Sequence, residues 1–296
     1  MIWLVIGSKG QLGQTFCDVL AARNIEFAEW SHDQGSVGDK DLVDEFINSI
    51  CPDVIINTAA WTDVDGAEAN ESEANHINSD AVGYIANAAK NLGSIFVHFS
   101  TDYVFSGTGN VPWNETDEKT PISAYGRSKA KGEELAIDTY PEGTYIFRTS
   151  WLYSKFGNNF VKSMIRLALG SQEKVSVVGD QVGQPTSALD LANQVIRSIE
   201  SRIPFGTYHA TNAGQVSWFE FAQEIFKICG TDTNRVRQIT SQEYSSAAAR
   251  PAFSVLGQEF WSDTTIQPMR DWKTALKEHM PAIIAAIRME GKNSDI

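Results

Sequence analysis

"MIWLVIGSKGQLGQTFCDVLAAR" (1–23) opens the chain. Its first part, IWLVIG (2–7), is a short apolar run ending in glycine, the pattern of a strand buried on both faces. The second part carries Leu12, Phe16, Val19 and Leu20 at helical spacing. Between the two lie Gly7, Gly10 and Gly13, which spell G-x-x-G-x-x-G. Glycines at such a turn let the backbone approach a pyrophosphate closely. The helix behind it offers free N–H groups and the positive end of its dipole. A glycine-rich turn alone is common. With a strand before it and a helix after it, this one reads as a dinucleotide site.

Outward from that turn, strands and helices alternate. EFAEW (26–30), DVIINTAA (53–60), SIFVHFS (94–100) and YIFRTS (145–150) read as strands. DLVDEFINSI (41–50) and INSDAVGYIANAAKNLG (77–93) read as helices, the second closed by Gly93. The stretch SAYGRSKAKGEE (123–134) starts another helix, between the last two strands. Alternation to about residue 180 predicts an α/β fold: a Rossmann-type, doubly wound parallel sheet with helices on both faces. Residues 1–150 are thereby assigned to a dinucleotide-binding domain. Beyond them the rhythm loosens. SALDLANQVIRSIE (187–200), SWFEFAQEIFKICG (217–230) and PMRDWKTALKEHM (268–280) read as helices, among loops carrying Pro204, Pro251 and Pro268. Residues 151–296 are expected to form a smaller, mixed α/β lobe that mainly holds substrate, with some segments returning to the first domain.

Composition narrows the partners. At 42% apolar residues the chain is globular, and no apolar run approaches the roughly 20 residues of a membrane span. The N-terminus lacks the basic start and cleavage site of a signal peptide. Cys17, Cys51 and Cys229 form no C-x-x-C, which argues against a disulfide framework or zinc site and fits a reducing cytoplasm. A net charge of −13 disfavours a nucleic-acid partner. The histidines, His32, His76, His98, His209 and His279, show no ligand-like spacing, so no metal site is expected.

Tyr125 and Lys129 stand four residues apart, on one face of their helix. Such a pair alone is an ordinary helix surface. Here it comes after the glycine turn and Thr101, which lies just past SIFVHFS. That order resembles the extended short-chain dehydrogenase/reductase superfamily, whose catalytic pair is Tyr-x-x-x-Lys preceded by Ser or Thr. The blocks STDYVFSGTGNVPWNETD (100–117), RTSWLYS (148–154), GNNFV (157–161) and GDQVGQPT (179–186) are more specific. They resemble the dTDP-4-dehydrorhamnose reductase family, from residue 1 to about 256, with ARPAFSVL (249–256) as the last clear block.

The resemblance implies a soluble enzyme that reduces the C4 ketone of dTDP-4-dehydro-β-L-rhamnose to dTDP-L-rhamnose. Carried onto this chain, it places Gly10, Gln11 and Leu12 around the cofactor pyrophosphate and Asp39 near the adenine end. Ala59, Ala60 and Trp61 would line the cofactor. Thr101 and Asp102 would contact the sugar, with Tyr103 and Val64 beside them and Trp151 as a wall of the pocket. Tyr125 and Lys129 would serve both ligands. The chemistry agrees. Reduction builds negative charge on the carbonyl oxygen, so a proton donor is needed. A free tyrosine is a sluggish donor near neutrality, and a nearby ammonium would lower its pKa. Tyr125 is read as the acid, Lys129 as its tuner and cofactor holder, and Thr101 as the group that orients the carbonyl.

Two positions depart from the pattern. Trp30, after Glu29, stands where an acidic residue would favour NAD, and no arginine comes next, only Ser31 and His32. The expected cofactor is NADPH first, NADH second. Some relatives dimerise through magnesium held by glutamates, where this chain has Thr15 and Leu189, which cannot ligate a hard cation. A monomer or a metal-independent homodimer is expected. Two other readings stand beside the first: a reductase or epimerase of another nucleotide-linked 4-keto-6-deoxyhexose, and a non-catalytic NADP-binding regulatory subunit similar to that of methionine adenosyltransferase.

Overall fold

Six parallel strands form the central sheet: β1 (Trp3–Ile6), β2 (Phe27–Trp30), β3 (Val54–Asn57), β4 (Ile95–Thr101), β5 (Thr144–Thr149) and, last, Gly206–His209. This is a computed structural model, and it describes residues 1–293. The final three residues of the expected 151–296 lobe therefore lie outside the described part. From β1 the sheet extends one way to β2, and the other way through β3, β4 and β5 to the Gly206–His209 strand. The strand order thus reverses between β1 and β3. The crevice outside their carboxyl ends is where open α/β sheets bind ligands.

Alternation within the strands decides which face each residue serves. Trp3 and Val5 pack with Phe16 and Leu20 of helix α1 (Gln11–Ala22) and with Leu191 and Val195 of the Ala188–Glu200 helix. Leu4 and Ile6 pack on the opposite face, against Val43 and Ile47 of helix α2 (Lys40–Ile50) and Val82 and Ile85 of the Ala81–Leu92 helix. A separate core holds the second lobe. There the Phe160–Gly170, Trp218–Ile228 and Trp272–Asn293 helices enclose Val161, Ile165, Phe221, Phe226 and Leu276. Val175–Val178 and Val236–Ile239 pair in parallel beside them.

Three expectations are corrected. The helix predicted over 77–93 begins with a π-turn, His76–Asp80, before the regular Ala81–Leu92 segment; Gly93 does end it, at φ +70°. The helix predicted over 268–280 starts later and runs longer, at Trp272–Asn293. Its start is delayed because Arg270 and Trp272 are tied as extended backbone to Ala213, at 2.9 and 3.0 Å. The strand at Gly206–His209, not expected from the sequence, is too short and polar to stand out as an apolar run.

Candidate active site

The glycine turn is built as a cradle. Gly7 sits at φ +79°, and a Cβ there would lie 2.7 Å from Ala59 N. A Cβ on Gly13 would lie 2.2 Å from Gly7 O. Only glycine allows this closeness of strand, turn and helix. Helix α1 starts at Gly10 with no side-chain cap and no acidic residue in its first turn. Its N–H groups and dipole remain free for an anion. A cleft of about 560 Å³ runs along this turn, lined by Gly7, Gly10, Trp30, Ser31, His32, Ala59, Ala60 and Trp61 among others. These features fit a dinucleotide. Lys9 also lines the cleft, paired with Asp33. It is a cation within the glycine turn, with Asp33 as its partner, where the residues directly after β2 carry none. Asp39, expected at the adenine end, is not in the cleft wall. It caps α2, accepting from Asp41 N and Leu42 N at 3.1 and 3.2 Å.

A second cleft, about 490 Å³, adjoins the first at Gly10, Thr58 and Ala60. It contains Gln11, Leu12, Val64, Thr101, Asp102, Tyr103, Tyr125, Lys129 and Trp151. All the expected catalytic and sugar-side residues are therefore in one place. Thr101 ends β4; Tyr125 and Lys129 lie on successive turns of the Ala124–Thr139 helix, which Ser123 starts by accepting from Gly126 N.

Thr101 Oγ1 donates to Asp102 Oδ1 at 3.0 Å and accepts from Tyr103 N at 3.2 Å. Burial pushes Tyr125 up to about 12, with Thr101 holding it back. Burial likewise lifts Asp102 to about 6, with Ser254 and Thr101 holding it back. Burial lowers Lys129 to about 8, opposed by Glu133. Glu133 is in turn clamped by Arg148 through two hydrogen bonds of 2.8 and 2.7 Å. Lys129 Nζ faces His98, at 3.1 Å.

Several further residues, none among the expected site residues, hold the clefts together. Asn78, buried in the π-turn, binds Trp61 N and O at 2.9 and 3.0 Å and Ser128 Oγ at 2.9 Å, joining the loop after β3 to the helix that carries Tyr125 and Lys129. Trp218 stacks on Trp151 with centroids 3.5 Å apart and planes 10° apart. Trp151 holds φ +46°, unfavourable for a bulky residue, so its position is imposed by its surroundings. Asn159 Nδ2 donates to Gln11 Oε1 at 3.1 Å, linking the second lobe to the glycine turn. Arg250 is paired with Asp65 at 2.7 Å.

The family model described as "RmlD substrate binding domain" matches residues 1–284. The chain belongs to this family. It is 37% identical to a dTDP-4-dehydrorhamnose reductase of Streptomyces griseus, over 95% of this chain and 93% of that one. It is 36% identical to a dTDP-4-keto-6-deoxy-D-glucose reductase of Streptomyces niveus, over 96% and 98%. Among solved structures, a dTDP-4-dehydrorhamnose reductase from Clostridium acetobutylicum superposes with a TM-score of 0.91 at 39% identity, covering 96% of this chain and all of that one. One from Bacillus anthracis, in complex with NADP, gives 0.90 at 35%, covering 94% and 98%. Family membership thus agrees with the resemblance read from the sequence blocks, and the α/β class with the sheet described above.

Proposed function

We propose that this chain is an NADPH-dependent reductase of a dTDP-linked 4-keto-6-deoxyhexose, with dTDP-4-dehydro-β-L-rhamnose as substrate and dTDP-L-rhamnose as product. The observation that carries this reading is the joining of the two clefts. The cradle that fits a dinucleotide opens directly onto Thr101, Tyr125 and Lys129.

When bound, the nicotinamide supplies a hydride to the sugar C4. Everything else falls to side chains. Gly7, Gly10, Gln11, Leu12 and Gly13 would hold the pyrophosphate, and Ala59, Ala60 and Trp61 would line the cofactor. Ser31 and His32, and Lys9 on exchanging Asp33 for the phosphate, would be the groups for a 2′-phosphate, which favours NADPH over NADH. Thr101 orients the ketone through its hydroxyl. Tyr125 passes a proton to the developing alkoxide. The ammonium form of Lys129 stabilises the phenolate left behind. Val64, Asp102, Tyr103 and Trp151 bound the sugar. Residues 1–150 hold the cofactor and the remainder mainly the sugar, with the Ala188–Glu200 helix and the Gly206–His209 strand returned to the first unit.

A second sugar is favoured by a specific observation. The relative named for dTDP-4-keto-6-deoxy-D-glucose is as similar as the one named for dehydrorhamnose. The assembled Thr101–Tyr125–Lys129 set supports turnover over a purely regulatory role. We place the enzyme in the cytoplasm, since its three cysteines are free and no described helix is long and apolar enough to cross a membrane. We propose a monomer or a metal-independent dimer. The test is loss of NADPH absorbance with each of the two 4-keto sugars. A kcat/KM at least tenfold higher for the dehydrorhamnose substrate is expected; a preference for the other, or no oxidation with either, overturns the assignment.

A further inference from the structure

Lys129 is not the end of its buried chain. His98 lies one strand over from Asn57 in register, and its Nδ1 is 3.3 Å from Asn57 Nδ2. Its Nε2 is 3.1 Å from Lys129 Nζ. All three side chains are buried. The orientation of the Asn57 amide is decided by a fourth group, because Ala59 N donates to Asn57 Oδ1 at 3.1 Å. Reversed, the amide would set its NH₂ against that N–H and leave both donors unmet. Asn57 therefore donates to His98 Nδ1.

Burial holds His98 well below its ordinary pKa, and Lys129 adds to this whenever it is charged, so the ring is neutral and carries one proton. An imidazole that accepts at Nδ1 carries that proton on Nε2. The Nε2–H then points at Lys129 Nζ. An amine can accept it; an ammonium, with donors only, cannot.

We propose that His98 is a positioning residue for Lys129: Asn57 holds it in the Nε2–H tautomer, which donates to Lys129 Nζ and favours the uncharged amine. Charging Lys129 then requires the His98 proton to move to Nδ1. That in turn requires Asn57 to reverse and release Ala59, a residue of the cofactor cleft. The charge on Lys129 and the hold on the Ala59 loop thus compete. The catalytic consequence rests on the reductase reading. After Tyr125 gives its proton to the alkoxide, a proton leaves Lys129 to restore the phenol; the His98 proton returns from Nδ1 to Nε2, Asn57 turns back to Ala59 N, and the Lys129 amine accepts from His98 Nε2–H.

Of the other charged and titratable groups around Lys129, Glu133 acts on it through charge and raises its pKa, and all of them are engaged with partners of their own. On its own helix Glu133 is bound by Arg148 of β5 and by Lys119, and Thr101 acts on Tyr125. Asp102, past the end of β4, accepts from Thr101. On the packed helices, Glu68 accepts from Ala124 N, Glu71 pairs with Arg127, Asp80 with Lys131 and His76, and Lys90 donates to Thr139 O. His98 is left as the direct polar neighbour of Lys129 Nζ.

The experiment is nitrogen-15 NMR of the histidine ring and lysine Nζ atoms in the full chain without cofactor, tracked across pH. Above the Lys129 midpoint the His98 proton is expected on Nε2; below it, on Nδ1, the two changes sharing one midpoint. Asn57→Leu removes the donor that holds the tautomer. It should raise the Lys129 midpoint by about half to one pH unit, the scale of one hydrogen bond. A proton fixed on Nδ1 at every pH, a doubly protonated His98, or an unchanged midpoint in folded Asn57→Leu overturns the proposal. The wild-type tautomer decides even if that variant fails to fold. Failure of the reductase reading would show separately, as absent turnover with the tautomer change intact.

Discussion

Thr101, Tyr125 and Lys129 hang from the end of β4 and the first turns of the Ala124–Thr139 helix, whereas Trp151, Asn159 and Trp218 hang from turns and helix starts of the second lobe. The first group is held by regular backbone and by buried partners: His98 at Lys129, Arg148 at Glu133, Asn78 at Ser128. The second is held by stacking, a left-handed backbone at Trp151 and one amide bridge from Asn159 to Gln11. Proton transfer needs atoms fixed closely, and rigid elements supply that. A sugar can be received by walls that differ from one relative to another without disturbing the chemistry.

The sharpest way to break this division is Tyr125→Phe. It removes only the hydroxyl, so the fold and NADPH binding should survive while turnover falls roughly 10²–10⁴-fold. Single-turnover rates with saturating cofactor would show it; a variant within tenfold of wild type would remove Tyr125 from the proton-donating role. Next in size is Gly13→Ala. The added methyl meets Gly7 O at 2.2 Å, backbone that cannot swing aside. A loss of about 1–3 kcal/mol in stability is expected, with weakened NADPH binding, by thermal melting and cofactor titration. An unshifted melt with normal binding would mean that the turn is looser than a cradle.

The junction between the regions gives a pH test. Asp190, on the helix packed against α1, accepts from Arg270, His279 and Asn212, which come from the second half of the chain. Burial raises its pKa, but those hydrogen bonds outweigh burial and hold the carboxyl well below the ordinary range. A carboxyl depressed in the folded state contributes stability in full above its unfolded value of about 4 and loses it as pH falls. Asp190→Asn should therefore cost about 1.5–3 kcal/mol at neutral pH, the worth of charged hydrogen bonds, and the cost should shrink below pH 4. Equilibrium denaturation at several pH values checks both the size and the slope.

Legibility obeys the same division. The glycine turn, β1 to β5 and the Thr101–Tyr125–Lys129 order can be read because apolar runs and fixed spacings are local properties of the chain. Asp39 rests on resemblance alone, and the sequence does not show that its carboxylate caps α2. His98, Asn57 and Asn78 are invisible in the sequence as site residues. They are made neighbours of the pair by strand register and helix packing, which no spacing along the chain encodes. Trp218 reads in the sequence only as part of a helix after a capping box, which Ser217 and Glu220 do form; its partner lies 67 residues away (218 − 151).

Trp218 also offers the smallest and most discriminating prediction. Its ring backs Trp151, and both line the cleft that holds Thr101 and Tyr125. Removing it with Trp218→Ala leaves Thr101, Tyr125 and Lys129 untouched but frees a Trp151 that already sits at an unfavourable φ. An aromatic pair is worth about 0.5–1.5 kcal/mol beyond its buried area, so KM for the sugar should rise roughly 2- to 12-fold, with kcat within about twofold. If kcat falls and KM does not, the second lobe takes part in reaching the transition state, and the separation of fixed chemistry from adaptable walls fails. If KM rises for dTDP-4-dehydro-β-L-rhamnose but not for dTDP-4-keto-6-deoxy-D-glucose, the Trp151–Trp218 stack is where the two sugars are told apart.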